Sequence, residues 1–265
     1  PAYERCPQCG GIMKHIGTGT QKVEEELHAL FPGAKVLRMD TDTVGASHGH
    51  EKLLRQFEEE KIPILLGTQM VAKGLDFENV TLVGVLCADA SLYIDNYRAP
   101  ERTFSLLSQV VGRAGRGSKQ GRAIIQTFTP ENEVIRAAAA QDYDAFYESE
   151  IRMRRLRRYP PFADLFSFTV TGADESRVIR AAKALRDALG YAVERREELK
   201  PLSIEVLGPA GASVVKVNNR YRYRVFLVGK GCPALRRLVA EYLYAFYQHK
   251  ENRGLDIFAD CNAIQ

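Results

Sequence analysis

Residues 62–89 run IPILLGTQMVAKGLDFENVTLVGVLCAD. Two apolar runs, Ile64–Leu66 and Leu82–Leu86, bracket a polar, glycine-containing segment. Because both are apolar on consecutive residues, they predict strands buried on both faces, as in a parallel sheet covered by helices. Gly67, Thr68 and Gln69 then fall at the carboxyl end of the first strand, the edge at which open α/β sheets hold ligands. Lys73, Gly74, Leu75 and Asp76 follow after one short helix-like turn. Upstream, KVEEELHALF (22–31) repeats apolar residues at helical spacing, PGAKVLRMD (32–40) is a turn and a strand, and HEKLLRQFEEEK (50–61) is amphipathic. Downstream, residues 102–111 are expected to be helical and RAIIQTF (122–128) to close the sheet. Strand and helix alternate throughout, so residues 15–130 are expected to form one α/β domain with a parallel sheet.

From Glu131 to Arg158 helical propensity is almost continuous, and YPPF (159–162) ends it because successive prolines remove backbone donors. Residues 131–160 are therefore expected to be a linker helix. Beyond it come a strand LFSFTVTG, a helix over 174–198, a strand SIEVLGP, a hairpin of SVVKV and YRYRVFLVG, a helix from Pro233 to about Lys250 and a strand LDIFAD. The order βαββαβ predicts a small α+β, ferredoxin-like domain over 161–265. The 265 residues, 45% of them hydrophobic, suffice for two such domains, and no apolar run reaches the length of a membrane span. With no leader at the N-terminus and an odd set of five cysteines, the chain is expected to be cytoplasmic. It opens at Pro1, within a few residues of a paired-cysteine motif, which suggests that it is part of something longer.

Three constellations carry chemistry. SQVVGRAGRGSKQG (108–121) sets Gln109 and Arg113 four apart on one predicted helix face, with Arg116 beyond Gly115. Arginine keeps its charge at any working pH and its planar fork can engage two phosphate oxygens, yet the chain contains no phosphate-binding loop. Cys6 and Cys9, in RCPQCGG, are half of a tetrahedral zinc set, and no second Cys-x-x-Cys occurs. In NRYRYRVFLVG (219–229), alternation puts Tyr221, Tyr223, Val225 and Leu227 on one strand face and Arg220, Arg222 and Arg224 on the other. Those arginines form either a solvated face or an anion-docking surface. The run RMRRLRR (152–158) fits a wet helix face as well as a DNA contact, and the five histidines show no ligand spacing.

GTQMVAKGLDF (67–77) and QVVGRAGRGSKQG (109–121) closely resemble motifs V and VI of superfamily 2 helicases. The chain thereby resembles the second RecA-like lobe of such a motor. With IGTGTQKVEEELHALFPGAKVLRMDTDT, RAPERTFSLLSQVVGRAGR and RYPPFADLFSF it is similar to the C-terminal half of the primosomal protein N′ family, bacterial replication-restart DNA helicases. It departs from that family in having ADCNAIQ (259–265) where an Asp-Val-Asp-Pro run is typical, and Gln21 where Glu is more common.

The resemblance implies an ATP-driven, 3′-to-5′ helicase whose first lobe binds ATP and Mg2+. The second lobe would close over the nucleotide with Arg113 and Arg116, Gln109 would orient Arg113, and Gly74 and Asp76 would approach the ribose or the attacking water. It implies DNA contacts at Thr18, Thr20, Thr68 and Gln69, although Thr20 also fits a plain helix cap. Residues 1–14 would be the remnant of a zinc-binding insertion, with Cys6 and Cys9 as its last pair. The C-terminal domain would bind forked or single-stranded DNA and the acidic tail of the single-stranded DNA-binding protein through Arg220, Arg222 and Arg224, beside other primosome proteins and no membrane. Alternatively, a degenerate lobe serves as a non-catalytic nucleic-acid- or protein-binding adaptor.

Overall fold

The structure, a computed structural model, describes residues 19–39, 49–68, 80–112 and 121–263. It divides into two units, one taking in residues up to Ile94 with Ala99–Tyr147, the other Asp95–Arg98 and everything from Glu148. The first unit opens with helix α1 (Thr20–Leu30), strand β1 (Val36–Met39), helix α2 (Gly49–Glu59) and strand β2 (Ile64–Gly67). The two strands pair in parallel, from Val36 opposite Ile64 to Met39 opposite Gly67. Arg38 of β1 donates to Glu24 of α1 at 2.7 Å, and Met39 is almost fully buried. Strands β3 (Leu82–Val85) and β4 (Arg122–Ile125) make a second parallel pair. The parallel pairing confirms the expected α/β class, but the expected burial on both strand faces is not met among the described residues: β2 is half-buried throughout, and Leu82, Leu86 and Ile124 are exposed.

Two short features escaped sequence reasoning. A single turn, α3 (Asp89–Leu92), follows β3, and α4 (Ala99–Val111) begins three residues earlier than expected. The Asp89 carboxylate, 2% exposed, accepts from Thr127 Oγ1 (3.1 Å), Phe128 N (2.9 Å) and Thr129 Oγ1 (2.9 Å). It thus fastens the exit of β4 to α3. Burial pushes this carboxyl up, but the three donated bonds outweigh burial and hold it below its usual value.

The expected continuous linker helix is instead two, α5 (Glu133–Ala140) and α6 (Tyr143–Arg157). Gln141 adopts a left-handed conformation (φ 54°), its N–H reaching Ala137 O and Ala138 O, and Asp142 Oδ1 accepts from Ala145 N at 2.9 Å to start α6. Helix propensity misled here because neither residue is a strong breaker. Asn132 caps α5 through Val134 N, and Phe104 of α4 stacks on Phe146 of α6 with ring centroids 4.2 Å apart. These rings and Leu92, Leu107, Ile135 and Ala138 make the core of this unit.

The second unit is a four-stranded antiparallel sheet in the order β6 (Glu205–Val217), β7 (Arg220–Gly229), β5 (Asp164–Gly172), β8 (Asp256–Cys261). Helices α7 (Glu175–Arg195) and α8 (Pro233–Gln248) supply the crossovers, giving the expected βαββαβ order. Asp174 caps α7 by accepting from Arg177 N at 3.0 Å. Phe168 and Val170 of β5, Val225 and Leu227 of β7, Leu189 of α7 and Leu235 and Leu238 of α8 are fully buried in one core, which puts both helices on one sheet face.

SIEVLGP and SVVKV, expected as separate strands, form the single strand β6, with register shifts after Leu207 and after Gly211. Extra residues are accommodated as bulges while pairing resumes beyond them. Gly208 sits in the first shift at φ +100°, and a Cβ there would meet Arg224 O at 2.7 Å, so no other residue fits.

At the unconventional C-terminal run, Asn262 Oδ1 accepts from Leu165 N (2.8 Å) and Asn262 Nδ2 donates to Asp164 Oδ1 (2.6 Å). Asn262 therefore has a structural use of its own in this chain, closing β8 onto β5.

Replacing Asp89 by Ala should destabilise the first unit by about 1–3 kcal/mol, since buried donors lose their acceptor. The folded-state value is depressed, so its stabilisation is complete above the ordinary carboxyl pKa, near 4, and is lost as pH falls through the lower folded value. Thermal melts from pH 6 down to pH 2.5 should show Asp89→Asn less acid-sensitive than the parent chain. An equal acid response would contradict this role.

Candidate functional site

Of the residues expected to meet ATP or DNA in the first unit, Gln109, Thr20 and Thr68 are described. Arg113, Arg116, Gly74, Asp76, Gln69, Thr18, Cys6 and Cys9 lie outside the described residues. Thr68 is exposed and directly follows Gly67, the last residue of β2, so it occupies the carboxyl edge of the parallel sheet. Thr20 is the first residue of α1 and does not cap it. The N-cap is Gly19, with no side-chain cap bond, which removes the plain-cap reading.

Gln109 is exposed on the last turns of α4, and its Nε2 donates to Ser105 Oγ at 3.3 Å. Helix α4 ends where Gly112 N donates to Ser108 O (3.0 Å), and the same carbonyl accepts from Gln141 Nε2 (3.3 Å). A Cβ on Gly112 would lie 2.9 Å from that amide nitrogen. Gly112 thus sits between the last turn of α4 and the cap of α5. Sequence reasoning could not pair Gln141 with Ser108, thirty-three residues away.

In the second unit the predicted alternation of β7 is borne out, because Val225 and Leu227 enter the core and the arginines take the opposite sheet face. The three arginines are not equivalent there. Arg220 is consumed internally, donating from Nη2 to Thr171 Oγ1 (3.0 Å) and pairing with Asp256, so it is not the free docking group expected from its place in the motif.

Arg222 and Arg224 instead line a cavity of about 450 Å3 with Ser213, Val214, Phe258 and Asp260. Strand register explains this grouping, since Thr169 of β5 is opposite both Arg224 and Phe258, and Ser167 is opposite Asp260. Arg224 is only 7% exposed and its Nε has no hydrogen-bond partner. Burial and the adjacent Arg222 pull its pKa below the usual guanidinium value, and Asp95 and Asp260 partly offset them. A buried donor without an acceptor costs about 1–3 kcal/mol, so Arg224 is held in an unfavourable place by the surrounding strands. Phe258 and Asp260 escaped sequence reasoning because they come from β8, whose position beside β5 follows only from strand order. Their alternation in LDIFAD was the available signal. Among the described residues no cluster of three metal-ligating side chains occurs, and no helix is long and apolar enough to cross a membrane.

A unit of two parallel strand pairs is thus followed by an antiparallel α+β unit. The profile of the family described as "Helicase conserved C-terminal domain" matches residues 16–118, and that of "Primosomal protein N C-terminal domain" matches residues 155–262. The Replication restart protein PriA of Bacillus subtilis (strain 168) is 41% identical over 263 residues, which is 99% of this chain and 32% of that protein. Its counterpart in Synechocystis sp. is 40% identical over 84% of this chain and 26% of its own length, and that of Treponema pallidum 37% over 92% and 36%. The chain belongs to the PriA family, as its C-terminal region, and spans about a third of the length of these relatives.

Replacing the unpaired, buried Arg224 by methionine should raise the stability of the second unit by about 1 kcal/mol, or a few degrees in Tm, because a desolvated charge gives way to apolar packing. Arg220→Met should lower it, since Asp256 and Thr171 lose their partner. Melts of the two variants at neutral pH check the contrast, and a destabilised Arg224→Met would mean that the guanidinium is satisfied within the fold.

Proposed function

We propose that the intact protein is an ATP-dependent DNA helicase that restarts stalled replication forks, moving 3′ to 5′, and that this chain supplies its second motor lobe and C-terminal domain. The observation that carries the reading is the ungapped pair GTQMVAKGLDF and QVVGRAGRGSKQG within a chain whose two halves match, in order, the helicase and primosomal-protein domains. Arg113 and Arg116 would reach the terminal phosphate of ATP held, with Mg2+, by the first lobe. Guanidinium groups placed on a transferring phosphoryl group contribute roughly 10³–10⁵ in rate. Gln109 would orient Arg113, and Gly74 and Asp76 would meet the ribose or the attacking water. The chain has no phosphate-binding loop of its own, so it holds half of an active site.

Thr18, Thr20, Thr68 and Gln69 would contact the DNA backbone, hydroxyls and amides donating to phosphate without reading sequence. Cys6 and Cys9 would complete a zinc site with cysteines supplied from upstream, two thiolates being half of a tetrahedral set. The C-terminal unit would meet DNA and dock the acidic tail of the single-stranded DNA-binding protein, with the half-buried Arg222 as the accessible contact and Arg224 behind it. The expected setting is the cytoplasm, among other primosome proteins.

In the intact protein, Arg113→Ala together with Arg116→Ala should lower DNA-stimulated ATP turnover by at least about a hundredfold, and the isolated chain should turn over ATP negligibly. Turnover that survives the double change would favour the adaptor reading, in which the arginines only hold phosphate. Arg222→Glu with Arg224→Glu should abolish binding of an acidic peptide ending in phenylalanine, measured by fluorescence anisotropy. Unchanged affinity would remove that docking role.

A further inference from the structure

Docking an acidic tail uses the accessible guanidinium of Arg222 and leaves the rest of the cavity unexplained. Arg224 is 7% exposed and lines the cavity beside Arg222, so an anion entering it would meet two guanidinium groups. Two carboxylates stand close by: Asp260 in the lining, and Asp95, which accepts from Ser213 Oγ at 3.3 Å. Two guanidiniums facing two carboxylates are nearly neutral in sum, a poor match for several acidic side chains at once and a good one for a single negative charge. That charge would be accompanied by hydrogen-bond donors, because Asp260 is exposed and can only accept when ionised. Phe258, 43% exposed, stands on the same face and offers an open ring.

We propose that this cavity holds one nucleotide of an unpaired DNA strand. Its phosphodiester, a monoanion, lies on Arg224 and Arg222, its base stacks on Phe258, and an exocyclic amino group of the base donates to Asp260. The volume of about 450 Å3 is of the size that small-molecule pockets have. Aromatic stacking on bases is tolerant of sequence, whereas a carboxylate accepting from an amino group is not: cytosine and adenine carry one and thymine does not. The pocket therefore prefers amino-bearing bases, and an acidic tail on Arg222 excludes the strand while it is bound. This goes beyond the docking assignment and rests on the C-terminal unit meeting DNA.

The test uses the 265-residue chain and end-labelled 20-nucleotide oligomers of dC or dT, with anisotropy read at one fixed salt concentration because phosphate contacts make affinity salt-dependent. The parent chain should bind the dC oligomer roughly three- to tenfold more tightly than the dT oligomer. Phe258→Ala should weaken both about fivefold. Asp260→Asn should remove the preference by raising dT affinity alone or more than dC affinity, whereas a merely electrostatic role would raise both alike and overturn the assignment. Equal affinity for the two oligomers in the parent chain, with no effect of Phe258→Ala, also overturns it while leaving DNA binding by the unit intact. No change in DNA binding with Arg222→Glu and Arg224→Glu would instead defeat the underlying reading that this unit meets DNA. A Phe258→Ala variant that loses the acidic peptide and keeps its DNA affinity would assign the pocket to the peptide. Phe258 and Asp260 are exposed, so both variants should keep the parent melting temperature, which a thermal scan verifies.

Discussion

Strand β5 is paired along both edges, with β7 from Asp164 to Gly172 and with β8 from Phe166 to Thr171. Its side chains alternate between Phe166, Phe168 and Val170, buried against the helices, and Ser167, Thr169 and Thr171 on the other face. A slip of one residue would exchange those sets and expose three large apolar groups, so register is strongly fixed. Everything on the open face inherits that register. Arg224 and Phe258 flank Thr169, and Arg220 finds Thr171 and Asp256, because the central strand leaves no other alignment.

The same face shows stability and binding pulling apart. Arg220 is satisfied by neighbours and contributes to the fold, while Arg224, four residues along on the same strand side, is buried without a partner for its Nε. Within one strand the sequence repeats the same residue type, and the neighbouring strands decide which copy is structural. Functional groups held in unfavourable surroundings are common where a ligand completes the hydrogen bonding.

In the first unit the recurring device is a capped end. Asp89 gathers three donors from the exit of β4, and Gln141 crosses from the cap of α5 to the last carbonyls of α4. Both hold segments adjacent to the motif residues without belonging to the motifs. Gln141 accepts a left-handed backbone to do so, a conformation that glycine or asparagine adopts more readily.

Much of this was legible in residue order. Consecutive apolar residues in Ile64–Leu66 and Leu82–Leu86 point to parallel strands, which the pairing bears out although Leu82 and Leu86 are exposed, and alternation in Tyr221–Leu227 requires one wet and one dry face. The βαββαβ order followed because each period is local to a few residues. The break at Gln141–Asp142, the joining of two expected strands into β6 and the single turn α3 did not follow, because each depends on hydrogen bonds and packing that propensity does not register. By itself the sequence determined the two fold classes, the motif pair and the arginine face. Only tertiary structure decided that Arg220 would be spent on Asp256 while Arg224 would line a cavity with Phe258 and Asp260, since those partners are thirty-four or more residues distant and meet through strand order alone.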